Sequence, residues 1–121
     1  MLTSVSFRRC DPGARTYYYK LGKRKADAIS IVSVAMVVEG SGKAVDSARI
    51  ALGAVAPVAM RASDAEAVLE KKGLNSASKA AAACATEARP IDDFRASEKY
   101  RRQMVEVLVA RGLQQMADGG P

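Results

Sequence analysis

The residues best suited to chemistry in this 121-residue chain stand near its start: Tyr17-Tyr18-Tyr19-Lys20, followed closely by Lys23-Arg24-Lys25. Three of the six aromatic residues are gathered there. Aromatic faces beside fixed cations suit a flat, electron-rich, anionic ligand, held by stacking and by charge. The same combination suits single-stranded nucleic acid. The plain structural alternative is a strand entering a sheet, with its tyrosines half-buried and its lysines in water. The chain has no His and no Trp. That excludes Ser/His/Asp and Cys/His triads and every His-containing metal site. Reactive groups would then come from a cofactor or from another chain, and no residue is assigned a catalytic or metal-binding role.

Other candidates read as structural. Gly40-Ser41-Gly42-Lys43 resembles the end of a phosphate-binding loop, but Val38 stands where the first glycine should be and a strand pattern follows, so a hairpin turn is the better reading. Adjacent Asp92 and Asp93 send their carboxylates in different directions in most backbones, which favours ion pairing with Arg89, Arg95, Arg101 or Arg102 over a shared proton or a metal. Cys84 falls in a run of alanines and reads as a small core residue. Cys10, beside Arg8 and Arg9, reads as an incidental thiol. Two cysteines make at most one bridge, so no disulfide framework organises the chain.

The elements that must position these residues follow from patterning. With 49% hydrophobic and 26% charged residues, the chain suits one domain with a modest core. The net charge of +6 is unevenly placed. Residues 1–25 hold seven cations against Asp11 alone, while the rest balances twelve of each sign, so an anionic partner should approach the leading segment. No apolar run approaches the roughly 20 residues that span a bilayer, and no signal-peptide pattern is seen, so the expectation is a cytoplasmic, reduced protein. Residues 2–7 alternate apolar and polar as a half-exposed strand would, and Asp11-Pro12-Gly13 reads as a turn. Residues 29–38 predict a central strand with Val32, Val34, Met36 and Val38 on one face. Residues 45–55 predict its hairpin partner, with Ala48, Ile50, Leu52 and Ala54 facing together, and residues 58–61 a third strand after Pro57.

Beyond residue 62 the period becomes helical. Ser63 and Glu66 predict a capping box opening a short helix that Gly73 stops. A second helix is predicted over 76–89, before Pro90, with Ala77, Ala80, Ala81, Cys84, Ala85 and Ala88 on one close-packing face. The third begins with Ser97 as N-cap, buries Tyr100, Met104, Val107 and Leu108, and ends near Gly112 or frays through Met116. Strands first and helices second predict an α+β domain: a three-stranded antiparallel meander followed by three helices packed on one face.

The ordered segments Tyr18-x-Lys20-Leu21-Gly22-Lys23-Arg24, Ile29-Ser30-Ile31-Val32-Ser33-Val34-Ala35, Ala48-Arg49-Ile50-Ala51-Leu52-Gly53-Ala54-Val55-Ala56-Pro57, Arg61-Ala62, Pro90-Ile91-Asp92-Asp93-Phe94-Arg95-Ala96-Ser97 and Tyr100-Arg101-Arg102 carry a resemblance over nearly the whole chain. Together they resemble the C-terminal domain of the FAD-binding medium subunit of molybdenum hydroxylases, the xanthine dehydrogenase and carbon monoxide dehydrogenase group. The resemblance implies residues 1–15 as a strand and connector left from a preceding flavin-binding domain, 16–117 as the domain itself, and 118–121 as a disordered tail. It implies FAD held mostly by an N-terminal domain, with Tyr18 near the isoalloxazine and Lys20 touching the cofactor. A cation there favours the anionic reduced flavin, and an aromatic ring can gate one face. Implied partners are that FAD-binding domain, an iron-sulfur small subunit and a molybdopterin large subunit, in an oxidoreductase moving electrons from molybdenum through iron-sulfur clusters to FAD. The isolated domain is not expected to be active. Two other readings stand beside this one: a basic single-stranded nucleic-acid-binding module, and a pure assembly domain that never touches flavin.

Overall fold

The computed structural model describes residues 1–26 and 28–119. An antiparallel sheet of β1 (Arg15–Gly22), β2 (Ser30–Glu39), β3 (Ser47–Gly53) and β4 (Met60–Arg61) has its strands in chain order. The helices α1 (Ser63–Lys72), α2 (Ala77–Glu87) and α3 (Glu98–Ala117) follow. The α+β order is as expected, with one strand more than the predicted meander. That strand, β1, is the aromatic segment itself, paired along β2 in the register Tyr18↔Ala35 and Lys20↔Ser33.

Strand alternation builds one face of the core. Val32, Val34, Met36 and Val38 of β2 are buried beside Ala48, Ile50 and Leu52 of β3, in the pairs Val34↔Leu52, Met36↔Ile50 and Val38↔Ala48. The helices cover that face: α1 lies against β3, α3 against β2 and β1, and α2 packs on α1 and α3. The small residues Ala80, Ala81, Cys84, Ala85 and Ala88 are all buried, so the alanine stripe serves close helix–helix packing.

Several expectations need correction. Residues 2–7 form no strand, and Leu2, Val5 and Phe7 are exposed. Alternation without a neighbouring strand leaves the backbone groups to water and gives no ladder. The third predicted strand shrinks to Met60–Arg61, because Pro57 and exposed Val58 precede any pairing. Ala54 does not face inward. The strand ends at Gly53, Ala54 turns out at φ 63, and this left-handed residue breaks the alternation so that Val55 enters the core instead.

The capping box does not form either. The N-cap is Ala62, with no side-chain cap bond, and Ser63 is already helical. Glu66 turns toward the sheet: Oε1 accepts from the Ile50 amide at 2.8 Å and from Arg61 Nε at 2.6 Å, while Oε2 accepts from Arg61 Nη2 at 2.9 Å. Charge-assisted bonds to a guanidinium outweigh one backbone amide. The first-turn amides of Asp64 and Ala65 donate instead to Glu87 of α2, at 3.0 and 3.3 Å. Gly73 does stop α1, at φ 71, where a Cβ would sit 2.4 Å from the Lys43 carbonyl oxygen.

Ser97 caps α3 as predicted, its hydroxyl accepting from the Tyr100 amide at 3.1 Å. The buried stripe is as expected only in part: Leu108 is buried and Met104 packs partly against the core. Arg101, Val105, Leu108, Gly112 and Met116 point inward, whereas Tyr100 and Val107 are 41% and 42% exposed. A guanidinium takes the slot expected for an aromatic ring, which turns the helix by about one residue, roughly 100°. Arg101 Nη1 donates to the carbonyls of Ile31 and Ala54, both at 2.8 Å, and Nη2 to Asp93 Oδ1 at 2.8 Å. Asp93 also accepts from Arg95 Nη2 at 2.7 Å and from the amides of Arg95 and Ala96 at 2.9 and 3.2 Å. Asp92 diverges and accepts from the Glu98 amide at the start of α3, at 2.6 Å. The two aspartates thus work apart, as expected. Asp118 and Gly119 close α3 in a turn, and the rest of the expected tail, residues 120–121, lies outside the described residues. Among the described residues no helix is long and apolar enough to cross a membrane, and no cluster of His, Cys, Asp and Glu could hold a metal.

Two outcomes follow. Ala54→Gly relieves a left-handed Cβ and should stabilise the fold by about 1 kcal/mol in urea unfolding; an unchanged or lower midpoint would contradict the strain. Asp93 is held well below the usual carboxylate range, first by the Arg95 guanidinium and also by the Arg95 and Ala96 amides and by Arg101. Its contribution is therefore complete above its unfolded value of about 3.9 and is lost as pH falls toward its lower folded value. Asp93→Asn should lower stability at pH 7, with the gap to wild type narrowing below about pH 4; a gap that stays constant with pH would contradict this.

Candidate functional site

The face of the sheet turned away from the helices is open, and the aromatic-cationic segment reaches it through β1. Alternation divides the three tyrosines. Tyr17 turns inward and packs near Gly112 of α3, where a Cβ would lie 2.6 Å from Tyr17 Cδ1 and 2.3 Å from Met36 Cε. Burial pushes its phenol above the ordinary value, against the pull of Arg111. Tyr18 turns outward and is 67% exposed. Lys20, two residues on, shares that outer face. The two predicted site residues are thus brought side by side on open surface, with backbone spacing of about 6.6 Å along the strand.

Cross-strand register fills in the rest of this surface. One row runs Tyr18, Ala35, Ala51, Arg61, and the next runs Lys20, Ser33, Gly53. A third carries Thr16, Val37 and Arg49. The first and third rows line a shallow trough of about 370 Å³, with Tyr18 on one side, the alanines as floor, and Arg49 and Arg61 on the other. Arg61 is held by Glu66, whose hydrogen bond raises the guanidinium pKa further. Arg49 meets Glu39 at 3.4 Å. Sequence reasoning missed both arginines as members of this surface. The signal was present in the alternation of Ala48, Arg49, Ile50, Ala51 and Leu52, which puts Arg49 opposite the core.

The trough can take a flat group: an aromatic wall, a floor of small side chains and cations around the edge. The glycine-rich segment supplies no phosphate cradle for it. Gly40, Ser41, Gly42 and Lys43 form the β2–β3 connection, where the Gly42 carbonyl accepts from Arg15 Nη1 at 2.7 Å and the Lys43 carbonyl from the Leu74 amide at 2.8 Å. A further cationic group lies at the β1–β2 turn, where Lys23 Nζ donates to the Phe94 carbonyl at 3.0 Å. Cys10 is exposed and Cys84 buried, the latter with its thiol pushed up to about 12 by burial.

With this geometry in place, the comparisons are decisive. Residues 17–116 match the model of the CO dehydrogenase flavoprotein C-terminal domain. The chain belongs to that family. Tyr18 and Lys20 fall at the first positions of the matched region, and Arg101 and Asp93 lie within it. A relative, the glyceraldehyde dehydrogenase medium chain of Sulfolobus acidocaldarius, is 29% identical over 107 residues, covering 87% of this chain and 38% of that protein. Among solved structures, the carbon monoxide dehydrogenase from Hydrogenophaga pseudoflava that lacks the Mo-pyranopterin moiety matches with a TM-score of 0.79 and 36% identity, over 87% of this chain and 37% of that one. The reconstituted CO dehydrogenase from Oligotropha carboxidovorans matches at TM-score 0.80 and 28% identity, over 90% and 38%. Quinoline 2-oxidoreductase from Pseudomonas putida 86 matches at 0.78 and 27%, over 89% and 38%. The chain therefore spans less than two-fifths of the length of these relatives. As a CO dehydrogenase flavoprotein C-terminal domain, it has the α+β fold expected, and β1 is the strand on which the family match opens.

The two thiols offer a check on this arrangement. At pH 8 iodoacetamide should alkylate Cys10 and spare Cys84 in the folded chain, read by peptide mass spectrometry; comparable labelling of both would mean that α2 is not packed as described.

Proposed function

We propose that this chain is the C-terminal domain of the FAD-binding subunit of a molybdopterin-dependent oxidoreductase, and that its open sheet face closes over the flavin. The single observation that carries the reading is the outward placement of Tyr18 and Lys20, together, on the trough-bearing face of a domain whose relatives are flavoproteins. The surface fits one side of a planar ring, which suits a cofactor seated mostly on a separate FAD-binding N-terminal domain. Bound there, FAD would take electrons arriving from molybdenum and iron-sulfur centres and hand them to an acceptor. Within this chain, Tyr18 would screen one face of the ring by contact and exclude water. Lys20 would place a fixed positive charge beside it, favouring the anionic form of the reduced flavin.

The exposed leading segment suits the same arrangement. Leu2, Val5 and Phe7 present apolar side chains to solvent, ahead of a turn closed by the Ala14 amide and the Asp11 carbonyl at 2.9 Å. These side chains would be covered if the segment ran along another body, and residues 1–15 are proposed as the connector to the flavin-binding domain. An iron-sulfur small subunit and a molybdopterin large subunit complete the proposed assembly.

The test uses the assembled enzyme with Lys20→Ala and Tyr18→Ala in turn. At least one change should lower the FAD retained through gel filtration or slow flavin reoxidation in stopped-flow absorbance by about tenfold, the cost of roughly one charge-assisted contact. If both variants keep the wild-type flavin content, spectrum and reoxidation rate, the domain only holds subunits together and the flavin reading fails.

A further inference from the structure

A cavity of about 360 Å³ opens at the end of the sheet beside the Lys20 row, between the start of β2, the end of β3 and the loop before α3. Its lining includes the polar residues Ser30, Ser33, Asp93, Arg95 and Arg101. We propose that this cavity is an oxyanion subsite, able to take a phosphate.

The charge balance points that way. Two guanidiniums face one carboxylate, and the lone pairs of Asp93 are already engaged by Arg95, Arg101 and two backbone amides. Lys20 lies opposite Ser33 in the strand register, so the flanking row adds a further cation. A cation has nothing to gain here, because guanidiniums donate and never accept. Arg101 is 2% exposed, and while its terminal nitrogens are engaged by Ile31, Ala54 and Asp93, its Nε–H has no acceptor among the described residues. A buried charged donor left unmatched is costly, so the Arg101 guanidinium, which lines the cavity, gains if an oxyanion bound there draws its Nε–H out of the packing. Neither Ser30 nor Ser33 spends its hydroxyl on another described residue, so two neutral donors stand beside the charged ones. Charged and neutral donors converging on one concave site are what a phosphate or carboxylate oxygen requires. The oxyanion can belong to a nucleotide or be free in solution; the chemistry of the site is common to both.

The subsite does not rest on the flavin reading, so it is tested on the 121-residue chain alone, by thermal unfolding at constant ionic strength. Inorganic phosphate at about ten times its Kd should raise the melting temperature by roughly 5 °C, saturably. Ser33→Val removes a donor and narrows the cavity, and Arg95→Gln removes a charge; the shift should vanish in whichever of these folds with a sharp transition. FAD and NAD+ are then titrated in place of phosphate. A nucleotide acting at least about tenfold below phosphate assigns the oxyanion to that nucleotide, and phosphate acting alone assigns it to a free anion. Absence of any phosphate shift, or the same shift in the folded variants, means a general salt effect and overturns the proposal.

Discussion

One buried guanidinium holds the architecture in register. Arg101 sits on the inner face of α3 and binds the carbonyl at the start of β2, the carbonyl just past the end of β3, and the carboxylate of the loop before its own helix. A charge taken from water destabilises unless its donors are matched, and here all but one of its nitrogens find oxygen. The consequence is rotational: with Arg101 inward, Gly112 comes to face Met36 and Tyr17, and a helix can approach the sheet there only because that position lacks a Cβ. Tyr17 is thereby seated against α3. Its seating fixes the alternation of β1, which is what turns Tyr18 and Lys20 outward.

The molecule thus separates its labours by face. The inner face of the sheet is aliphatic and covered by helices; the outer face has small residues along its centre and aromatic or cationic ones along its margins. Glu66 ties the two sides together at the far edge, since one carboxylate accepts both from the β3 backbone and from Arg61. A carboxylate used in this way rigidifies a short two-residue strand that pairing alone would hold weakly.

Much of this was legible in the sequence, and the exceptions have physical causes of their own. The hairpin of β2 and β3, the alanine face of α2, the Ser97 cap and the Gly73 stop all follow from local pattern, where each residue's own chemistry agrees with its place. Two errors fell where a polar side chain serves a distant partner. Ser63 and Glu66 match a capping motif, yet Glu66 is claimed by Ile50 and Arg61. The stripe of α3 was read from its apolar residues, while the slot nearest the sheet belongs to Arg101, whose partners lie 70 and 47 positions away. Residues 2–7 carried a strand pattern without a strand to pair with. For the outer face, Tyr18 and Lys20 were reached through family resemblance; Arg49 and Arg61 became visible only through the cross-strand register.

The alternation of β1 sets a rule for how this segment tolerates change. Tyr17 and Tyr18 are neighbours in the chain but belong to opposite sides of the molecule, one facing α3 and the other solvent. Adding or deleting a single residue within the strand would swap the two populations wholesale, driving a lysine toward the hydrocarbon and a packing ring into water. Length variation here is therefore counted in twos. Where an odd residue must be absorbed, the break in pairing between Leu21 and Gly22 is the hinge already provided for it.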